Sequence, residues 1–255
     1  MKHDRVSGEN RKALPKFLLI LLVSAVGGGV LGLAAGLAGH SALPEYAAAW
    51  LEDVLRAIAP WAIPAYTAAL LGGALWIYRS ARARFNAWDG EEERVIDAAE
   101  GSLNWALLLG ALTLILDFFF MAVSSALLSG WGSLTVVGWF LLSAALEMLL
   151  QQKVVDLEKR MNPEKRGSVY DTKFQRKWLE SCDEAEQRQI GRAAYRAFQV
   201  TNTACVFLWL ALVVLNMVFD LGLTPVFSVL VIWGILQVSY ILECIRIAKG
   251  TSGKT

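Results

Sequence analysis

A chain of 255 residues with 56% hydrophobic content, mean hydropathy +0.45 and a formal net charge of +1 is too apolar for an ordinary soluble domain. The near-neutral balance leaves no overall basic footprint, so direct nucleic-acid binding is not expected. Cys182, Cys205 and Cys244 are odd in number and widely spaced, which excludes a disulfide framework and a paired-cysteine zinc site.

The apolar residues are gathered into long runs. The expected fold class is therefore all-α: a polytopic membrane protein with six transmembrane helices, one outer interfacial helix and a cytoplasmic helical loop between spans four and five. Residues 1–16 are a short basic cytoplasmic tail, and the first transmembrane hairpin covers 17–78. Its first span, Phe17–Gly39, has 23 residues, against the roughly 20 that a helix needs to cross a ~30 Å hydrocarbon core. That length exceeds a signal-peptide core, so no cleaved leader is expected. Gly28, Gly32 and Gly36 recur every fourth residue and clear a stripe for close helix approach, more readily by another helix of the same chain than by a second copy.

Residues 41–60 are too polar to span. An amphipathic helix over 43–59 carries Leu43, Ala47, Trp50, Leu51, Val54, Leu55 and Ile58 on one face, starts with Pro44 in its first turn and ends at Pro60. Trp61–Tyr78 is the second span. The cytoplasmic loop 79–102 opens on Arg79, Arg82 and Arg84. Asp89, followed by Glu91, Glu92 and Glu93, marks the start of a short helix that reaches Glu100 and ends at Gly101.

The second transmembrane hairpin, 103–150, contains spans Leu103–Leu128 and Leu134–Leu150, joined by a tight turn. The helical spacing of Leu146, Leu150, Val154, Leu157 and Met161 continues the fourth helix beyond the membrane as far as Asn162, where Pro163 disfavours helical geometry in the preceding residue. The cytoplasmic loop 151–198 follows. Asp171 suits the cap of a helix, and Ser181 with Glu184 fits a capping box, which places a bend near Glu180. The third hairpin, 199–246, holds spans Thr201–Phe219 and Val226–Ile245, and 247–255 is a second cytoplasmic tail.

Charge orients these spans. Five Lys/Arg lie in the first tail, four in 79–102, eleven in the central loop and three at the end of the sixth span and in the last tail (Arg246, Lys249 and Lys254), against one on the opposite side. Basic residues flanking spans are retained in the cytoplasm, so both termini and the central loop are assigned there.

Chemistry-bearing residues are few. His3 and His40 are the only histidines, and neither HExxH, GxSxG nor a phosphate-binding GxxxxGK[ST] is present, so no enzyme activity, metal or cofactor is expected. Four acids lie in or near spans: Asp117, Glu147, Asp220 and Glu243. Asp117 falls mid-span, where it cannot easily reach water. Glu147 and Glu243 lie near cytoplasmic ends and are expected to reach the interface, Glu243 with Arg246 beside it. Asp220 sits in an outer turn. In the central loop, Phe174, Trp178, Cys182, Asp183, Glu184 and Glu186 form a candidate docking surface, with an amphipathic elbow under the spans as the plainer alternative. Arg188, Arg192 and Arg196 recur at helical spacing and suit anionic lipid headgroups.

Asn162-Pro163-Glu164-Lys165, Gly167-Ser168-Val169-Tyr170-Asp171, Phe174-Gln175, Lys177-Trp178 and Ser181-Cys182-Asp183-Glu184-Ala185-Glu186 together resemble a bacterial membrane-protein family, domain-of-unknown-function family 3169. The resemblance extends from about Trp88 to the end of the sixth span. It implies a bacterial cytoplasmic membrane location and brings no activity, cofactor or catalytic residue. The expected function is a non-enzymatic sensor or accessory protein that docks a cytoplasmic regulator or ATPase through the central loop. The alternatives are a small transporter or permease subunit using the intramembrane acids, and a structural or lipid-binding protein that forms a homo-oligomer through Gly28, Gly32 and Gly36.

Overall fold

A computed structural model of the chain describes residues 2–39, 43–88, 90 and 93–252. Its elements are α1 (Lys2–Gly39), α2 (Leu43–Asn86), α3 (Glu93–Leu127), α4 (Trp131–Met161), α5 (Phe174–Glu180), α6 (Glu184–Phe219) and α7 (Thr224–Ser252), with no strand among the described residues. All but α5 are long and apolar enough to cross a membrane. His40 and the start signals at Asp89, Glu91 and Glu92 lie outside the described residues.

Two boundaries differ from the sequence reading. The amphipathic helix and the second span are one rod: α2 runs through Pro60 and Pro64 for 44 residues. At 1.5 Å per residue it is about 66 Å long, roughly twice a hydrocarbon core. A proline removes one backbone hydrogen bond and crowds the preceding turn. Here that cost is offset by packing on both sides of Pro60, where Ala59 and Ile63 are fully enclosed. Likewise Gly101 does not stop a short helix, because α3 continues through it to Leu127. The flanking Ala99 and Leu103 are buried, and their packing outweighs the modest helix penalty of one glycine. The end of α4 is as expected: Asn162 caps it, its N–H bonded to the Glu158 carbonyl at 2.8 Å, and Pro163 follows.

The chain divides into two compact units, Ala49–Gly191 and residues 1–48 with 192–255. In the first, α2, α3 and α4 pack around one apolar core. Leu71, Ala74, Tyr78 and Ala81 come from α2, Ala99, Leu103 and Ala106 from α3, and Leu150, Val154 and Leu157 from α4. Alanines at 74, 81, 99 and 106 have almost no exposed surface, so small side chains let these helices approach closely. Leu146, expected on the same stripe, is 45% exposed instead.

In the second unit, Trp233 Nε1 donates to Asn202 Oδ1 at 2.7 Å and the Gln237 amide donates to the same oxygen, while Phe198 stacks on Tyr240. The glycine stripe of α1 does not pack as expected. A Cβ added at Gly28, Gly32 or Gly36 would meet no atom within 4 Å, whereas one at Gly39 would lie 2.6 Å from the Met217 carbonyl oxygen. Among the α1 glycines, close approach is thus seen at Gly39, where only a hydrogen fits.

Candidate functional site

The acid that the sequence places deepest is also the most enclosed. Asp117, on α3, has no exposed surface. Tyr66 of α2 donates its hydroxyl to Asp117 Oδ1 at 2.6 Å. Ser143 of α4 lies beside the same carboxyl group, its own hydroxyl 2.9 Å from Thr67 Oγ1. Asp117 Oδ2 is buried and has no hydrogen-bond partner among the described residues.

Glu147 completes this centre, contrary to the expectation that it reaches the interface. It is 9% exposed and turned towards Asp117, close enough for the two charges to interact. Gly110 of α3 makes the room, since a Cβ there would stand 3.1 Å from Glu147 Oε1. The local pattern follows helix geometry. Gly110, Thr113 and Asp117 recur along one face of α3, and Ser143 and Glu147 are one turn apart on α4. Thr113 is fully buried and satisfies its hydroxyl on the Leu109 carbonyl. Two facing carboxyls in a poorly hydrated site, with no cation among these partners, repel one another. A proton or a small cation between them would relieve that repulsion.

Asp220 and Glu243 do not join this centre. Asp220 occupies the turn after α6 with φ 49°, a conformation that short polar side chains tolerate. Glu243 is exposed and pairs with Arg246 at 2.9 Å, as the sequence suggests.

The central loop folds on itself around a buried lysine. Lys165 has 3% of its side chain exposed, donates to Glu186, lies 3.3 Å from Cys182 Sγ and stands 6.0 Å from the Trp178 ring centre. Burial pulls its pKa down, but the hydrogen bonds with Glu186 and Cys182 outweigh this and hold it above the usual lysine value. Phe174 packs against Trp178 with ring centres 5.6 Å apart. Gly167, at φ 128°, brings the backbone against the Phe174 ring. Lys159 and Gln152 tie the loop to α4 by bonds to the Gly167 carbonyl and the Val169 N–H.

Of the candidate docking residues, Cys182 is buried, Phe174, Trp178 and Glu186 are half-buried around Lys165, and Asp183 and Glu184 are exposed. The bend near Glu180 is present, but its capping box is one pair along. Asp183 Oδ1 accepts from the Glu186 N–H at 2.8 Å, and Glu186 accepts from the Asp183 N–H at 3.0 Å. Ser181 instead bonds the Trp178 carbonyl and accepts from the Arg166 N–H. Arg188, Arg192 and Arg196 are all exposed, Arg188 pairing with Glu184.

Tyr66, Thr67, Gly110 and Ser143 were not singled out by sequence. For Gly110 and Ser143 the available signal was a small or hydroxylated residue one or two turns from an acid on the same helix; Tyr66 and Thr67 lie on α2, where no such signal existed.

The fold and its buried polar centre define a helical, multi-pass membrane protein. No protein-family model matches the chain, and no curated protein or solved structure matches it.

Proposed function

We propose that the chain is a membrane protein whose activity centres on reversible occupation of the Asp117/Glu147 site by a proton or a monovalent cation, as in a small transporter or permease subunit. The observation that carries this reading is Asp117 itself, fully buried, with no hydrogen-bond partner for Oδ2 among the described residues and a second carboxyl turned towards it. A purely structural polar contact would be expected to satisfy both oxygens. Ionisable groups at this depth are expensive to keep and are retained mainly along ion or proton pathways. Tyr66 fixes the orientation of one oxygen and leaves the other free to take the proton or ion.

The test is infrared difference spectroscopy of the purified protein in nanodiscs during a pH titration, repeated with sodium and potassium. A protonated-carboxyl band that responds to pH or cation and disappears in Asp117→Asn supports the reading. A spectrum identical in wild type and Asp117→Asn under all these conditions overturns it.

A second reading is that the loop after α4 docks a cytoplasmic regulator or ATPase. It is favoured by the loop's organisation around Lys165, which holds Asp183 and Glu184 outward at fixed positions. Crosslinking in native membranes would test it. A partner captured by wild type and lost on deletion of residues 167–187 supports docking, and an unchanged set of partners refutes it.

A further inference from the structure

Two adjoining cavities in the Ala49–Gly191 unit share one residue, Lys153. The first is a groove of about 360 Å³ between α2 and α4, lined by Leu71, Leu75, Leu146, Leu149 and Leu150, with Thr67 and Gly72 on its α2 side. Leu71 and Leu150 form its buried part, while Leu146 and Leu149 are 45% and 52% exposed. Gly72 keeps it open, because a Cβ there would meet nothing within 4 Å. The second cavity, of about 210 Å³, is polar and lined by Tyr78, Arg82, Lys153, Asp156, Leu157 and Arg160.

The charges of the polar cavity are unbalanced. Arg82, Lys153 and Arg160 are exposed and make no ion pair or hydrogen bond among the described residues. Its one acid, Asp156, is already engaged, accepting from Gln152 at 2.8 Å and pairing with Lys159 at 3.5 Å. An apolar trough within the spans therefore leads to three uncompensated cations at the basic end of the same helices. From Leu146 to Lys153, α4 rises about 10 Å, so the trough descends from that basic end into the hydrocarbon region.

We propose that these two cavities form one binding site for an anionic phospholipid, with an acyl chain in the leucine-lined groove and the headgroup phosphate on Arg82, Lys153 and Arg160. Charge complementarity selects this occupant. A zwitterionic headgroup would bring its own cation to three others, and an apolar peptide would leave them unanswered. Basic residues at the cytoplasmic surface attract anionic lipid, and the charge bias of the chain assigns this end to the cytoplasm. The site is distinct from the Arg188, Arg192 and Arg196 row.

The test compares retention of dioleoylphosphatidylglycerol and dioleoylphosphatidylcholine by the full-length protein, titrated in detergent and read by native mass spectrometry. The wild type should bind one phosphatidylglycerol at least about tenfold more tightly than phosphatidylcholine, given the contribution of each basic residue near a surface. Neutralising all three cations (Arg82→Gln, Lys153→Gln and Arg160→Gln together) should abolish the preference while leaving weak binding of both lipids. Gly72→Leu, whose Cβ would meet no protein atom within 4 Å, should fill the groove and weaken both lipids. Gly138→Leu, on α4 with equally open space, serves as the control and should change neither. Equal retention of the two lipids by wild type overturns the proposal. So does a preference that survives the cation triple variant, or retention of both lipids that is unchanged in Gly72→Leu, with melting curves confirming that each variant is folded.

Discussion

Replacing Gly167 by alanine should loosen the central loop without disturbing the spans. Gly167 sits at φ 128°, a region that side chains strain, at about 1–3 kcal/mol. A Cβ would also lie 2.8 Å from Phe174 Cδ2 and 3.2 Å from Cε2. The ring cannot simply turn away, because Trp178 packs against it at 5.6 Å. Overpacking of this kind adds about 1–3 kcal/mol. Together the two effects make opening of the loop easier by about 4 kcal/mol, close to a thousandfold faster amide exchange at 1.4 kcal/mol per decade. Hydrogen exchange followed by mass spectrometry, in nanodiscs, would read this across peptides 165–182, with peptides from the α2–α4 core as the internal reference. Phe174→Ala separates the two causes. In Gly167→Ala/Phe174→Ala the collision is gone and only backbone strain remains, so the double variant should be less destabilised than the sum by about 1–3 kcal/mol. Additivity within about 0.5 kcal/mol, or unchanged exchange in Gly167→Ala, would refute the reasoning.

Three further outcomes are expected. Tyr66→Phe removes the donor to Asp117 Oδ1, costing about 1–3 kcal/mol by thermal or denaturant unfolding; the same change in an Asp117→Ala background should cost much less. Gly110→Val drives a side chain into Glu147 and should destabilise by about 1–3 kcal/mol, with Glu147→Ala restoring much of the loss. The raised pKa of Lys165 sets the direction of an alkaline effect: its contribution is complete below the unfolded lysine value, about 10.4, and is lost as pH climbs through the higher folded value. Exchange protection of the loop should therefore hold from neutral pH to about 10 and fall above it, and Lys165→Met should lack that alkaline step.

Much of the architecture is legible in the sequence because span length and apolar runs answer directly to bilayer thickness. The α4 extension to Asn162 was readable for a related reason, since Pro163 acts through local sterics alone. Pro60 and Gly101 misled because both are local stop signals, and packing at Ala59, Ile63, Ala99 and Leu103 carries the helices through them. The capping box was displaced from Ser181/Glu184 to Asp183/Glu186 because Ser181 is engaged by the Trp178 carbonyl and the Arg166 N–H.

The sequence by itself determined that the chain is helical and apolar enough to cross a membrane, and that Asp117 falls near the middle of an apolar run, because these depend on composition and rise per residue. Only the tertiary structure decided that Glu147 turns inward to meet Asp117, that Tyr66 of another helix donates to it, and that Lys165 gathers Trp178, Cys182 and Glu186. Those partners lie on separate helices and turns. Their meeting depends on helix rotation and on the space left by Gly110, neither of which is encoded in any single stretch of the chain.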